Sequence, residues 1–172
     1  MSSPPHSPPH PPTSASQTYK SLHTTSLAFI SAQSFNPTLP PRMNIPLLKS
    51  LCTSSFTHTF GHHHAVSAAP PLQGTFSFDA FAAHLGAMVP RMESWELRVA
   101  DVLVDEVLMR CVVRVSYFMR VKGVDEGDVV ENDVLWMLGF EKEAEGEGVK
   151  VCTSVEFVDG VAAGRLRELM GR

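Results

Sequence analysis

Arg110-Cys111-Val112-Val113-Arg114-Val115-Ser116-Tyr117-Phe118-Met119-Arg120-Val121 decides the fold. Cys111, Val113, Val115, Tyr117, Met119 and Val121 fall on one side of an extended chain. Arg110, Arg114, Ser116 and Arg120 share the other side with Val112 and Phe118. Successive side chains of an extended chain point to opposite faces, so a period of two with one apolar side marks a half-buried β-strand. Related patterns at Trp95–Asp105, Val129–Glu141 and Val149–Val158 predict three more strands. Turns are expected at Asp105-Glu106, Gly123–Gly127 and Glu143–Gly148, where glycine and acidic residues suit a solvated connection. Four strands joined by short polar turns make an antiparallel meander, and its apolar face needs a cover.

Upstream residues supply that cover. Residues 1–16 are Pro, Ser and His with almost no apolar content, so they cannot offset the entropy of ordering and are expected to be disordered. From Gln17 to Phe35 the apolar Tyr19, Leu22, Phe29 and Ile30 fit a helical stripe, with Leu27 off it. Residues 36–55 carry Pro37, Pro40, Pro41 and Pro46 and are expected to be irregular, with one helical turn over Leu47–Leu51. Ser54–Phe60 alternates Phe56, His58 and Phe60 against Ser55, Thr57 and Thr59, which predicts a short strand with His58 on the aromatic side. His62-His63-His64 and Pro70-Pro71 mark a loop. Ser77 is a suitable N-cap, Asp79 complements the helix dipole, and Phe81, Leu85, Met88, Val89 and Met92 continue an apolar stripe that Pro90 interrupts. Val161, Arg165, Leu166, Leu169 and Met170 suggest a short terminal helix. The order predicts an α+β fold, one domain over residues 17–172, with helices packed on one face of a curved antiparallel sheet.

Charge is unevenly distributed. All 18 acidic residues lie at or after Asp79, whereas residues 1–78 carry only Lys20, Arg42 and Lys49. The predicted folded part is therefore acidic, and it lacks the clustered Lys and Arg that phosphate binding requires, so a nucleic-acid partner is not expected. Cys52, Cys111 and Cys152 have no paired short spacing, which points to a reducing compartment and a cytoplasmic location. No apolar run approaches the ~18 residues of a membrane span, and Ser26–Ala32 is too short for a secretory signal. A mitochondrial transit peptide would use several Arg, and none precedes Arg42.

Three short stretches carry a family resemblance: Phe56-Thr57-His58-Thr59-Phe60 on the first strand, Val130-Glu131-Asn132-Asp133-Val134 on the fourth, and Ser154–Gly160 at the last. With the order helix, strand, helix, meander, the chain resembles the NTF2-like cone-shaped α+β fold over residues 17–170, and within it the SnoaL-like branch found in filamentous fungi. The resemblance implies a pocket between the helices and the concave sheet face, no cofactor, frequent homodimers, and a small hydrophobic metabolite as partner. Characterised relatives include cyclases and isomerases of polyketides and terpenoids that use pocket His, Asp or Glu as acid and base. The proline-rich region from Asn36 to Ser55 departs from the family, which runs two helices directly into the first strand.

Several side chains are candidates for that chemistry. His58 titrates near neutrality and resembles the pocket histidine of cyclase-like relatives. Asp101 interrupts the apolar row Leu97, Val99 and Leu103, where a charge needs a partner or a cavity. Asn132 shares a face with Val130, Val134 and Trp136 and offers an amide donor to a carbonyl if that face is concave. In the opposite register Glu131 and Asp133 become an acid/base pair with raised pKa values instead. Tyr117 can present its phenol to a ligand or simply be a buried tyrosine with one hydrogen bond. Glu156 alternates with Val155 and Phe157 and is expected on the outer face, and Asp159 before Gly160 is expected to cap a helix. No metal is expected, because adjacent histidines in a loop cannot all point at one ion. No phosphate loop or Ser or Cys nucleophile signature is present. The residues thus leave two readings open: a cofactor-independent acid/base enzyme acting on a hydrophobic metabolite, and a non-catalytic binding or dimerisation module.

Overall fold

The computed structural model describes residues 10–125, 127–143 and 148–171. Residues 1–9 of the expected disordered tail, Glu126 of the second expected turn and residues 144–147 of the third lie outside the described residues. The elements are α1 (Gln17–Ser31), α2 (Ile45–Ser50), β1 (Cys52–Phe60), α3 (His63–Ser67), β2 (Phe76–Ser77), α4 (Phe78–Met88), β3 (Met92–Asp105), β4 (Arg110–Val121), β5 (Val130–Lys142), β6 (Val149–Phe157) and α5 (Gly160–Met170). Single 3-10 turns occupy Pro70–Leu72 and Val89–Arg91.

The four strands read from alternation form the expected meander, β3 to β6 antiparallel in chain order. To it the structure adds β1, which lies parallel to β6, and the short β2 beyond it, so the curved sheet runs β2-β1-β6-β5-β4-β3 and is mixed. Register decides which side chains enter the core. On β4, Cys111, Val113, Val115, Met119 and Val121 are buried, and on β5 Asn132, Val134, Trp136, Leu138 and Phe140 are, which makes those rows the concave face.

The helices cover that face for reasons legible in their stripes. α1 buries Leu22, Phe29 and Ile30, as its spacing predicts, together with His23 and Ser26. The Ser26 hydroxyl is satisfied by donating to the Leu22 carbonyl at 2.8 Å. Trp95 Nε1 donates to the Gln33 carbonyl at 2.8 Å and ties the end of α1 to β3. Ser77 caps α4, whose Phe81 is fully buried. The Phe29 and Phe81 rings meet Trp136 edge-on at 5.7 and 6.3 Å, and each such buried ring contributes roughly 1.5–3 kcal/mol. Asp159 caps α5 through the Val161 and Ala162 amides.

Several expectations are corrected. The irregular stretch ends at Asn44, because Asn44 accepts the Leu47 amide at 3.0 Å and Pro46 sits in the first turn of α2, where a missing N–H costs nothing. β1 then starts at Cys52 rather than Ser54. The histidine loop contains the short helix α3, with His62, His63 and His64 exposed. Met92 ends no helix; it is the fully buried first residue of β3 and pairs with Val121.

The most consequential correction is a β-bulge. The pairing of β3 with β4 shifts between Val99 and Asp101, leaving Ala100 as an extra residue. One inserted residue moves every later side chain to the other face. Asp101 and Leu103 therefore point outward, and Leu103 is 61% exposed.

Candidate active site

The pairing of β1 with β6 builds the candidate site. It places His58 beside Ser154 and Phe60 beside Glu156, while β5 places Trp136 beside Glu156 and Leu138 beside Ser154. Trp136 and Leu138 are buried on the concave face, so Ser154 and Glu156 point into the cone and Thr153, Val155 and Phe157 point away. This is the reverse of ordinary patterning, in which the polar row of a strand faces solvent.

His58 is wholly buried in an aromatic box. Its ring centroid lies 4.3 Å from Phe81, 4.6 Å from Phe60, 5.8 Å from Trp136 and 6.0 Å from Phe76. Nδ1 is hydrogen-bonded to Ser154 Oγ at 2.8 Å. Nε2 has no hydrogen-bond partner, alone among the fully buried side-chain polar atoms of the described residues. It faces Glu156 Oε2 at 3.8 Å, too far for a direct hydrogen bond.

Burial sets the protonation states. Desolvation, with a smaller part from repulsion by His84, lowers the His58 pKa to about 3. Burial raises the Glu156 carboxyl to about 8, although its side chain keeps 14% of its surface exposed. At neutral pH the imidazole is uncharged and most of the carboxyl is protonated. His84, half-buried beside Phe60 at 5.2 Å, is also lowered by burial. Tyr117 Oη accepts the Trp136 Nε1 hydrogen at 3.2 Å, and burial with the nearby Glu156 raises its pKa, so the phenol keeps its proton.

The residues expected to act fall into two groups. His58, Tyr117, Trp136 and Asn132 lie on the concave face. Asn132 Oδ1 accepts the Asp159 amide at 3.2 Å and so supports the start of α5. Asp101, Glu131 and Asp133 lie on the convex face, away from His58. Asp101 binds the Val102 amide at 2.9 Å, and Asp133 pairs with Arg114 at 3.0 Å. Glu156, expected outside, is inside, because the register of β6 shifts at Cys152: Val149 and Val151 are buried before that extra residue, and after it Ser154 and Glu156 turn inward in place of Val155 and Phe157. His84 and Ser154 gave no signal of their own beyond the helical position of one and the alternation of the other.

Among the described residues no group of three or more His, Cys, Asp or Glu is placed to hold a metal ion, and no helix is long and apolar enough to cross a membrane.

No protein-family model matches the chain, and no curated protein matches it. Solved structures do. The pinacolase BvnE from Penicillium brevicompactum superposes with a TM-score of 0.68 at 15% identity, covering 92% of this chain and 97% of that one. PrhC from Penicillium brasilianum gives 0.66 at 16% identity over 90% of each chain. A SnoaL-like protein from Jannaschia sp. CCS1 gives 0.63 at 14% identity, covering 90% of this chain and 96% of that one. The helices laid on a curved, unclosed sheet are thus the NTF2-like cone, in the form that SnoaL-like proteins share.

Proposed function

We propose that this protein is a cofactor-independent acid/base enzyme, a cyclase or isomerase acting on an uncharged hydrophobic metabolite of polyketide or terpenoid type. The observation that carries the reading is the unpartnered, buried Nε2 of His58 facing the Glu156 carboxyl inside an aromatic box. A buried polar atom without a partner is costly, and such sites are retained where a ligand completes them. Aromatic walls accept an apolar substrate, and the neutral state of both polar groups disfavours a charged one. Glu156, with a pKa near neutrality, is the group best poised to exchange a proton. Tyr117, its oxygen held by Trp136, keeps an O–H for a substrate oxygen. His58 stays in this reading, while Asp101, Glu131 and Asp133 have no part in it, and Asn132 supports the rim.

2-Tetralone is a suitable probe, being uncharged, apolar and enolisable. The wild type is expected to speed deuterium uptake at its α-carbon, read by NMR in D2O, and Glu156→Gln to lose about 100-fold or more of that rate. Wild-type exchange no faster than buffer over a panel of cyclic and aryl ketones would favour a binding module instead.

The same two groups shape stability against pH. Glu156 holds its proton to about 8 when folded and loses it near 4.5 when unfolded, so its contribution is intact below 4.5 and declines as pH rises to 8. His58 is neutral down to about 3 when folded and protonates near 6.5 when unfolded, so its contribution is intact above 6.5 and declines as pH falls to 3. The slopes are opposite and each is about 1.4 kcal/mol per pH unit. They cancel between 4.5 and 6.5. Urea unfolding should show Glu156→Gln gaining stability over wild type as pH rises from 6.5 to 8; a constant difference over that interval would contradict the buried carboxylic acid.

We further propose a homodimer through the convex face. Leu103, Leu135 and Met137 are 61%, 36% and 38% exposed there, and Met137 lines two hollows of ≈360 Å³ each. Sedimentation at micromolar concentration should give a dimer for wild type and a monomer for Met137→Glu. A wild-type monomer would rule the interface out.

A further inference from the structure

The direction of one hydroxyl hydrogen decides which nitrogen of His58 carries the imidazole proton. Ser154 is 1% exposed and His58 is fully buried, and their contact is 2.8 Å. A neutral imidazole has one N–H and one lone pair; a serine hydroxyl has one donor and can also accept. Two arrangements satisfy the contact. If Nδ1–H donates to Ser154 Oγ, the hydroxyl hydrogen needs a second acceptor, and Ser154 Oγ makes no other hydrogen bond among the described residues. That arrangement leaves two buried groups unpaired, the Ser154 hydrogen and the Nε2 lone pair. If Ser154 donates to the Nδ1 lone pair, the serine is satisfied by a single bond and only Nε2–H remains unpaired. An unpaired buried polar group costs more than an ordinary hydrogen bond returns, so the second arrangement is favoured.

We propose that Ser154 is a positioning residue that holds His58 as the Nε2–H tautomer, making His58 a neutral hydrogen-bond donor to a substrate oxygen and leaving Glu156 as the base of the pair. This deepens the acid/base reading above and rests on it. Nε2 and Glu156 Oε2 lie 3.8 Å apart, close enough for one enolisable ketone to seat its oxygen on Nε2–H and its α C–H beside the carboxylate. The ionised form of Glu156, the minor one below pH 8, takes the α-proton, the C–H electron pair becomes the C=C bond, and the carbonyl π pair moves onto oxygen. There it is stabilised by the Nε2–H hydrogen bond without receiving that proton. Where the ketone is β,γ-unsaturated, return of the proton from Glu156 to the γ-carbon of the dienolate completes an isomerisation. Attack of the enolate carbon on a second carbonyl of the same substrate closes a ring instead, and Glu156 then protonates the new alkoxide. The burial that keeps the imidazole uncharged suits this donor role and makes His58 a poor base.

The experiment is a long-range 1H–15N correlation on the full-length, 15N-labelled protein between pH 6 and 8, with Ser154→Ala and Ser154→Thr beside wild type. Wild type is expected to show Nε2 protonated and Nδ1 as a hydrogen-bonded acceptor. Ser154→Thr should keep that pattern, and Ser154→Ala should shift it toward Nδ1–H. With 2-tetralone, kcat for deuterium exchange should fall at least about ten-fold in Ser154→Ala and recover in Ser154→Thr, since a wrong tautomer disables a correctly placed imidazole. Nδ1–H in wild type, or an unchanged tautomer in Ser154→Ala, would overturn the proposal whatever the protein catalyses. If Ser154→Ala does not fold, the wild-type spectrum alone decides the tautomer. The expected tautomers without exchange in any variant would support the assignment of Ser154 and defeat the catalytic reading, so the two failures are distinguishable.

Discussion

The parallel pairing of β1 with β6 is the constraint on which the candidate site depends. It brings a strand from before α4 against the last strand of the meander and sets His58 beside Ser154 and Phe60 beside Glu156. Backbone hydrogen bonds fix this register, and side chains alternate with a period of two. A slip of one residue would carry Ser154 and Glu156 to the convex face and bring Val155 and Phe157 inward. Gly61 carries the pairing one bond past Phe60. Its amide donates to the Glu156 carbonyl at 2.7 Å, and a Cβ at this position would stand 2.2 Å from the Phe157 ring.

Once the register is set, the polarity of the sheet is partly inverted. Ser154 and Glu156 sit among Phe60, Phe81 and Trp136, whereas Leu135, Met137 and Val155 decorate the outside. A fold selected for stability alone would place apolar side chains at the two inward positions, because burying an ionisable group is unfavourable unless it is neutral or paired. Here neutrality is the solution for both groups. Burial holds His58 deprotonated and Glu156 protonated, and their charge-free states are what allow them to share an aromatic interior. The same burial brings Glu156 toward the range in which proton exchange with a substrate is efficient. Stability and reactivity thus draw on one physical cause.

Much of this architecture is legible in the sequence, and the illegible parts have identifiable causes. Alternation over Arg110–Val121 and its neighbours predicts the meander, and the stripe of Leu22, Phe29 and Ile30 predicts how α1 docks. His58 is placed correctly on the aromatic side of β1. Asp101 is misplaced because the bulge at Ala100 reverses the alternation halfway along β3, and nothing about an alanine announces a bulge. Glu131 and Asp133 depend on which face of β5 is concave, and apolar residues on both faces leave that open until β4 and β6 are paired with it. Glu156 is hidden by a second irregularity: the extra residue Cys152 reverses the alternation of β6 between Val151 and Thr153, and the sequence does not announce it. Proline content overstates the irregularity of residues 36–55, since Pro46 occupies a first-turn position that tolerates it.

The central claim is that Glu156 is a neutral carboxylic acid at physiological pH, held so by burial beside an uncharged His58. The most direct measurement is an NMR titration of the Glu156 carboxyl carbon in 13C-labelled protein, assigned by its loss in Glu156→Gln. The account predicts a midpoint near 8. A midpoint close to the ordinary 4.5 would mean a solvated carboxylate and would contradict the site as described.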